Sequence, residues 1–135
     1  MRYGSFMSEV VYRRDAVLEV DAFIDVMERS GLAARRPVDD RACLEGMLEY
    51  ANLDVTAWRG ELLVGVARSI TDFHYACYLS DLAVDAAFQR QGIGRELIRH
   101  TQLALKPRAK RVLRAAPAAA DYYRRVGFER CERTW

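Results

Sequence analysis

From Tyr75 to Val84 the chain is apolar and rich in aromatic residues, and after the spacer Asp85-Ala86-Ala87-Phe88 it enters Gln89-Arg90-Gln91-Gly92-Ile93-Gly94-Arg95. Ile93, Leu97, Ile98 and Leu105 then recur at helical spacing until Pro107 ends the run. A strand that passes through a glycine turn into an amphipathic helix commits the chain to a layered α/β arrangement. The apolar stripe of the helix has to be buried against a sheet, and the strand that feeds it is the nearest member of that sheet.

The remaining segments supply the other members. Val10-Val11-Tyr12 predicts a short strand, and Val17 to Ser30 a helix that buries Leu18, Ala22, Ile24, Val26 and Met27 before Gly31 stops it. Pro37 opens a second helix, in which Cys43, Leu44, Met47 and Leu48 share a face. Leu53 to Trp58 and Leu62 to Ile70, turning at Arg59-Gly60, read as a hairpin, with Tyr75 to Val84 as the next strand. Arg111 to Ala115 reads as a short strand, Pro117 to Val126 as a helix closed by Gly127, and Phe128 onward as a final strand. The expected order is therefore β-α-α-β-β-β-α-β-α-β.

A chain of 135 residues can bury one core, so residues 1–135 are expected to form a single domain, with residues 1–8 as an N-terminal extension in which Met7 offers an alternative start. Nothing at the start has the order of a secretory signal, and no apolar run approaches the roughly 18 residues of a membrane span, so the expected compartment is the cytoplasm. Cys43, Cys77 and Cys131 are too few and too scattered for a disulfide framework or a zinc site and are read as reduced thiols. Residues 1–84 carry 9 basic and 14 acidic side chains, whereas residues 85–135 carry 12 and 5, so a net charge of +2 hides opposite signs in the two parts. The basic part is suited to meet an anion, although a solvated surface shows the same asymmetry.

The glycine turn is the place for such an anion. The first N–H groups of a helix lack internal partners and lie at the positive end of the helix dipole, and glycine lets a phosphate approach them. Two glycines this close also suit a plain tight turn. A dinucleotide fingerprint would need a third glycine where Leu97 stands, and no phosphate-loop lysine follows, so both of those patterns fail.

Leu82-Ala83-Val84 followed by Gln89-Arg90-Gln91-Gly92-Ile93-Gly94 resembles the pyrophosphate turn of the GNAT superfamily of acetyl-CoA-dependent N-acetyltransferases, Gln/Arg-x-x-Gly-x-Gly/Ala after a strand ending in Leu-Ala-Val. Downstream, Tyr122-Tyr123-Arg124-Arg125-Val126-Gly127-Phe128 is similar to that superfamily's Phe/Tyr-Tyr-x-x-x-Gly-Phe segment. The resemblance covers the whole element order, with its specific motifs between residues 80 and 128. It implies a mixed, mostly antiparallel central sheet of about six strands flanked by helices. It also implies acetyl-CoA as cosubstrate, without a metal, held by Leu82, Ala83, Val84 and the run Gln89, Arg90, Gln91, Gly92, Ile93, Gly94, Arg95.

By the same resemblance, Tyr123 is the acid that protonates the departing thiolate, in place of the plain core aromatic that it would otherwise be. Asp81, on the strand beside the thioester, is the candidate base acting through water, unless its side chain turns away into a structural hydrogen bond. Two departures stand out: Ser80 replaces a glutamate that many relatives use as base, and Ala116 replaces an asparagine that contacts the cofactor. Asp72 and His74 are read as a solvated turn, and Cys77 as core. The implied activity is transfer of acetyl to a primary amine, of a small molecule or exposed on a protein, by direct attack in a ternary complex. The alternative is an acyl-CoA-binding sensory module. A homodimer is expected to cover the short C-terminal sheet edge. Nucleic acid is not expected as a partner, because no recognition motif accompanies the basic C-terminal part.

Overall fold

A computed structural model describes residues 9–135, so the expected extension at residues 1–8, with Met7, lies outside the described residues. Strands β1 (Val11–Arg13), β2 (Leu53–Arg59), β3 (Leu62–Thr71), β4 (Ala76–Val84) and β5 (Lys110–Val112) form one sheet in that spatial order. Neighbours from β1 to β4 are antiparallel, and β5 runs parallel to β4. Helices α1 (Val20–Ser30) and α2 (Arg41–Tyr50) precede the hairpin, α3 (Ile93–Leu103) links β4 to β5, and α4 (Ala120–Arg125) follows β5.

The sheet separates two apolar layers. Phe23, Val26, Met27 and Leu44 pack with Leu63 and Val66 on one face, and Ile93, Leu97 and Ile98 of α3 pack with Val55, Val64 and Ala67 on the other. Gly65 permits the close seating of α3, since a Cβ there would lie 3.1 Å from Leu97 Cδ1 and 3.3 Å from Ile93 Cγ2.

Several expectations need correction. The first helix begins at Val20 rather than Val17, β5 runs over Lys110–Val112 rather than to Ala115, and Pro117–Ala119 form a 3-10 turn before the last helix begins at Ala120. Among the described residues the sheet has five strands rather than about six, because the segment from Phe128 onward, expected as a strand, joins no sheet. Phe128 closes α4 instead: its N–H donates to the Tyr123 carbonyl at 2.9 Å, and its ring meets the edge of Tyr123 and lies beneath the Arg111 guanidinium. The second helix begins at Arg41 and not at Pro37, because Asp40 caps it by accepting from the Cys43 N–H at 3.0 Å. Pro37 serves the turn before it, and a 3-10 segment, Leu32–Arg35, separates the first two helices.

A bulge in β4 decides where its side chains go. Arg68 pairs with Asp81 and Ser69 with Leu79, so Ser80 has no partner in β3. Leu79 consequently packs under α3, whereas Ala83, which a regular strand would put on the same face, packs under α1. Asp81 goes with Ala83, away from α3. There its two carboxylate oxygens accept from the Nε–H groups of Arg36 and Arg68, one each. Arg68 also donates to the Met47 carbonyl and the Ser80 hydroxyl, both at 3.0 Å, and Arg36 to the Ser80 carbonyl at 2.9 Å.

Asp81 and Arg68 are 1% and 3% exposed, so removing the carboxylate strands a charge away from water. Asp81→Ala is expected to lower unfolding free energy by about 3–5 kcal/mol in urea titration. Arg36→Ala should cost clearly less, because Arg68 still answers Asp81. Equal, small losses would show that the triad contributes nothing.

Candidate active site

The cleft originates where β4 and β5 part. The two strands pair only at Ala76, Cys77 and Tyr78, opposite Lys110, Arg111 and Val112. Beyond Tyr78 the outer edge of β4 is free of strand partners, and the chain after β5 continues through Leu113 to Ala116 on the far side of a gap. The carbonyls of Ser80 and Val84 accept from the side chains of Arg36 and Gln89, at 2.9 and 3.0 Å, so these groups face out of the sheet. Leu82 lies between them in the two-residue repeat and shares that edge.

At the end of β4, Asp85 holds the spacer in place. Its N–H donates to the Val64 carbonyl at 2.8 Å, and its carboxylate accepts from the Ala87 N–H at 2.9 Å and from Arg29, which also donates to the Leu63 carbonyl at 3.0 Å. A 3-10 turn over Ala86–Phe88 then leads to Arg90 at φ 65 and Gly92 at φ 83, after which α3 starts without a side-chain cap. The left-handed backbone at a non-glycine residue costs of order 1–3 kcal/mol and is a mark of functional turns. With no capping side chain, the N–H groups of Ile93, Gly94 and Arg95 have no partner within the helix and point at the positive end of its dipole.

These donors open into a cavity of about 590 Å³. Leu82, Val84, Gln89, Arg90, Gly92 and Arg95 line one side of it, and Tyr122, Tyr123 and Arg125 of α4 face them. Ile93 and Gly94 also border it, whereas Ala83 and Gln91 do not: Ala83 is 3% exposed in the core, and Gln91 points into solvent. The two glycines are required for different reasons. Gly92 needs its positive φ, whereas a Cβ on Gly94 would lie 2.2 Å from the Tyr122 hydroxyl. Arg125 and the Tyr122–Gly94 contact were not read from the sequence. The only signal was the position of both residues in the segment beside Tyr123.

Tyr123 borders the same cavity and a second one, of about 500 Å³, beyond β4, and also a third of about 540 Å³ beside Phe128 and Arg111. Burial, reinforced by Tyr122, holds its phenol pKa above the usual value, while Arg36 opposes the shift. The group therefore keeps its proton at neutral pH. Ser80 and Ala116, the two departures noted above, border the second cavity, together with Arg35, Arg36, Arg68 and Arg114. Asp81 borders neither cavity, for the bulge turns its carboxylate into the layer under α1, where Arg36 and Arg68 occupy both oxygens. Asp72 accepts from the N–H groups of His74, Tyr75 and Ala76 at 2.8–3.0 Å and ties the β3–β4 turn, and Cys77 is 2% exposed in the core.

The model of the GNAT acetyltransferase domain matches residues 25–135. None of the curated proteins matches the sequence significantly. Among solved structures, a GNAT-family acetyltransferase from Streptococcus pneumoniae superposes with a TM-score of 0.74 at 22% identity, over 90% of this chain and 88% of that one. An aminoglycoside acetyltransferase from an uncultured soil metagenomic sample, in complex with sisomicin, gives 0.67 at 23% identity, over 93% and 94% of the two chains. A further aminoglycoside N-acetyltransferase, in complex with CoA, gives 0.71 at 19% identity, over 95% and 93%. At these identities the likeness of the structures is one of fold. With the family match over 25–135, it shows that this chain belongs to the GNAT acetyltransferase family.

Proposed function

We propose that the chain transfers an acetyl group from acetyl-CoA to a primary amine, of a small molecule or exposed on a protein, by direct attack of the amine in a ternary complex. The observation that carries this reading is the position of Tyr123, at the border between the cavity of the α3 N-terminus and the cavity beyond β4. One cavity suits the cosubstrate and the other the acceptor, so the two meet at a phenol that keeps its proton.

Each residue then has a task. The N–H groups of Ile93, Gly94 and Arg95, with Arg90, Arg95 and Arg125 around them, hold the pyrophosphate. The outward backbone edge of β4 at Leu82 and Val84 pairs with the pantetheine arm, and donors there polarise the thioester carbonyl. Bound acetyl-CoA supplies an activated acyl group. The acceptor nitrogen forms the C–N bond as the C–S bond breaks, Tyr123 gives its proton to the leaving thiolate, and the amine's surplus proton passes through water to restore the phenol. Asp81 is the positioning anion for Arg36 and Arg68 in this scheme, not the base.

One observation favours a second reading, an acyl-CoA-binding module with little transfer: the carboxylate expected as a base, Asp81, has both oxygens committed to guanidinium groups. Acetyl-CoA at 100-fold its Kd is expected to raise the melting temperature by about 10 °C under either reading, and no shift would sink both.

Turnover separates the two. Tyr123→Phe is expected to lower kcat by about 10²-fold or more, with acetyl-CoA affinity unchanged. In the parent protein kcat/KM should rise with pH as the acceptor amine loses its proton. It should fall only above the ordinary tyrosine value of ~10, because burial raises the Tyr123 pKa. The falling limb disappears in Tyr123→Phe. Thiol release at background level from every amine, with binding intact, would leave only the binding module.

We also propose that two copies pair along the outer edge of β5, which ends the sheet and exposes 46% of Val112. Light scattering at assay concentration should give the mass of a dimer, and a monomer would overturn the pairing.

A further inference from the structure

The cavity beyond β4 has an unusual charge. Arg35 comes from the 3-10 segment and Arg36 from its end, Arg68 from β3, and Arg114 from the chain after β5. Side chains from separate parts of the chain thus converge on one space of about 500 Å³, which a run of solvated charges on one helix face would not do. The carboxylate bound within this group is that of Asp81, which lies behind Arg36 and Arg68 and is itself shut off from the cavity. Asp54 of β2, paired with Arg68 across the sheet, is a second carboxylate beside this group, so four guanidinium groups face two carboxylates and the cavity keeps a net positive charge. Arg35 and Arg114 are exposed and have no ion-pair partner among the described residues. Leu32, Met47 and Leu113 add an apolar patch beside them.

We infer that the acceptor is a small amine that also bears a carboxylate, of the amino-acid class, and that Arg35 and Arg114 receive the carboxylate. The inference rests on the transferase reading above and narrows its substrate. Guanidinium groups bind carboxylates through paired, charge-assisted hydrogen bonds, and two of them here are already held rigid by Asp81. Polycationic amines such as aminoglycosides are repelled from this cavity, whereas an amino acid brings an anion to it. The same positive field favours the neutral form of the amine. An acceptor anchored by its carboxylate next to these groups is thus made nucleophilic without a carboxylate base, which fits the serine at position 80 and the committed oxygens of Asp81.

The test compares each of a panel of L-amino acids with its own carboxamide, in thiol-release assays of the full chain at saturating acetyl-CoA. The amide has the same shape and the lower amine pKa, so intrinsic reactivity favours it. For at least one pair, kcat/KM for the acid is expected to exceed that for the amide by about tenfold or more. Arg114→Gln and Arg35→Gln should bring this ratio towards one while acetyl-CoA Kd stays within twofold. The inference is overturned if amides or polyamines are the better acceptors throughout, if phosphoethanolamine outperforms every amino acid, or if the ratio survives both substitutions. Should no amine release thiol, the transferase reading fails by itself. Saturation-transfer NMR with the same pairs then decides the inference: binding of the acid alone, lost in Arg114→Gln, upholds it, and equal or absent binding refutes it.

Discussion

The architecture depends on the divided role of β4. Along its inner side it pairs with β3 over most of its length, and along its outer side it holds β5 only as far as Tyr78. Two parallel strands that separate part-way leave backbone groups on the free edge without partners in the sheet, and such groups have to be met by side chains, water or a ligand. Arg36 and Gln89 satisfy two carbonyls of this edge, and the space between them opens into the cavities that Tyr123 borders. The last residues of β4 also aim α3, so the opening in the sheet and the uncapped helix N-terminus share one origin.

A single residue without a partner, Ser80, sets the electrostatics of this region. By shifting the alternation it sends Asp81 into the layer of α1 and α2, where the carboxylate joins Arg68 of β3 to Arg36 at the end of the 3-10 segment. Taking these charges out of water is costly, and the arrangement persists because each group is paired and hydrogen-bonded. In return, two arginines that would otherwise be mobile are held at fixed positions beside the acceptor cavity. Asp85 repeats the device on a smaller scale, fixing Arg29 and the start of the glycine turn.

Much of this was legible in the sequence. Apolar period identified four helices and the strands from β1 to β5, and the glycine turn was placed correctly between a strand and α3. The errors have local causes. Pro37 competed with Asp40 for the start of the second helix, and a side-chain cap that satisfies an N–H outweighs a proline that only tolerates the position. Phe128 has the composition of a strand residue, but its ring found Tyr123 and Arg111 before it could join a sheet edge. For Asp81 the sequence left two roles open, a base through water or a structural hydrogen bond, and the structure shows its carboxylate held by Arg36 and Arg68, because the bulge at Ser80 turns it away from the cleft.

The sequence by itself determined what depends on near neighbours. The turn from Gln89 to Gly94 begins a helix, and the first donors of that helix lack partners within it, because those follow from the apolar period and from unpaired N–H groups within a few residues. Only the tertiary structure decided what depends on distant pairing. It brought Tyr122 onto Gly94, turned Asp81 away from the cleft, and gathered Arg35, Arg36, Arg68 and Arg114 around one cavity. Those contacts are set by strand register and by the path of the chain after β5, quantities in which a one-residue change reverses a side chain's direction.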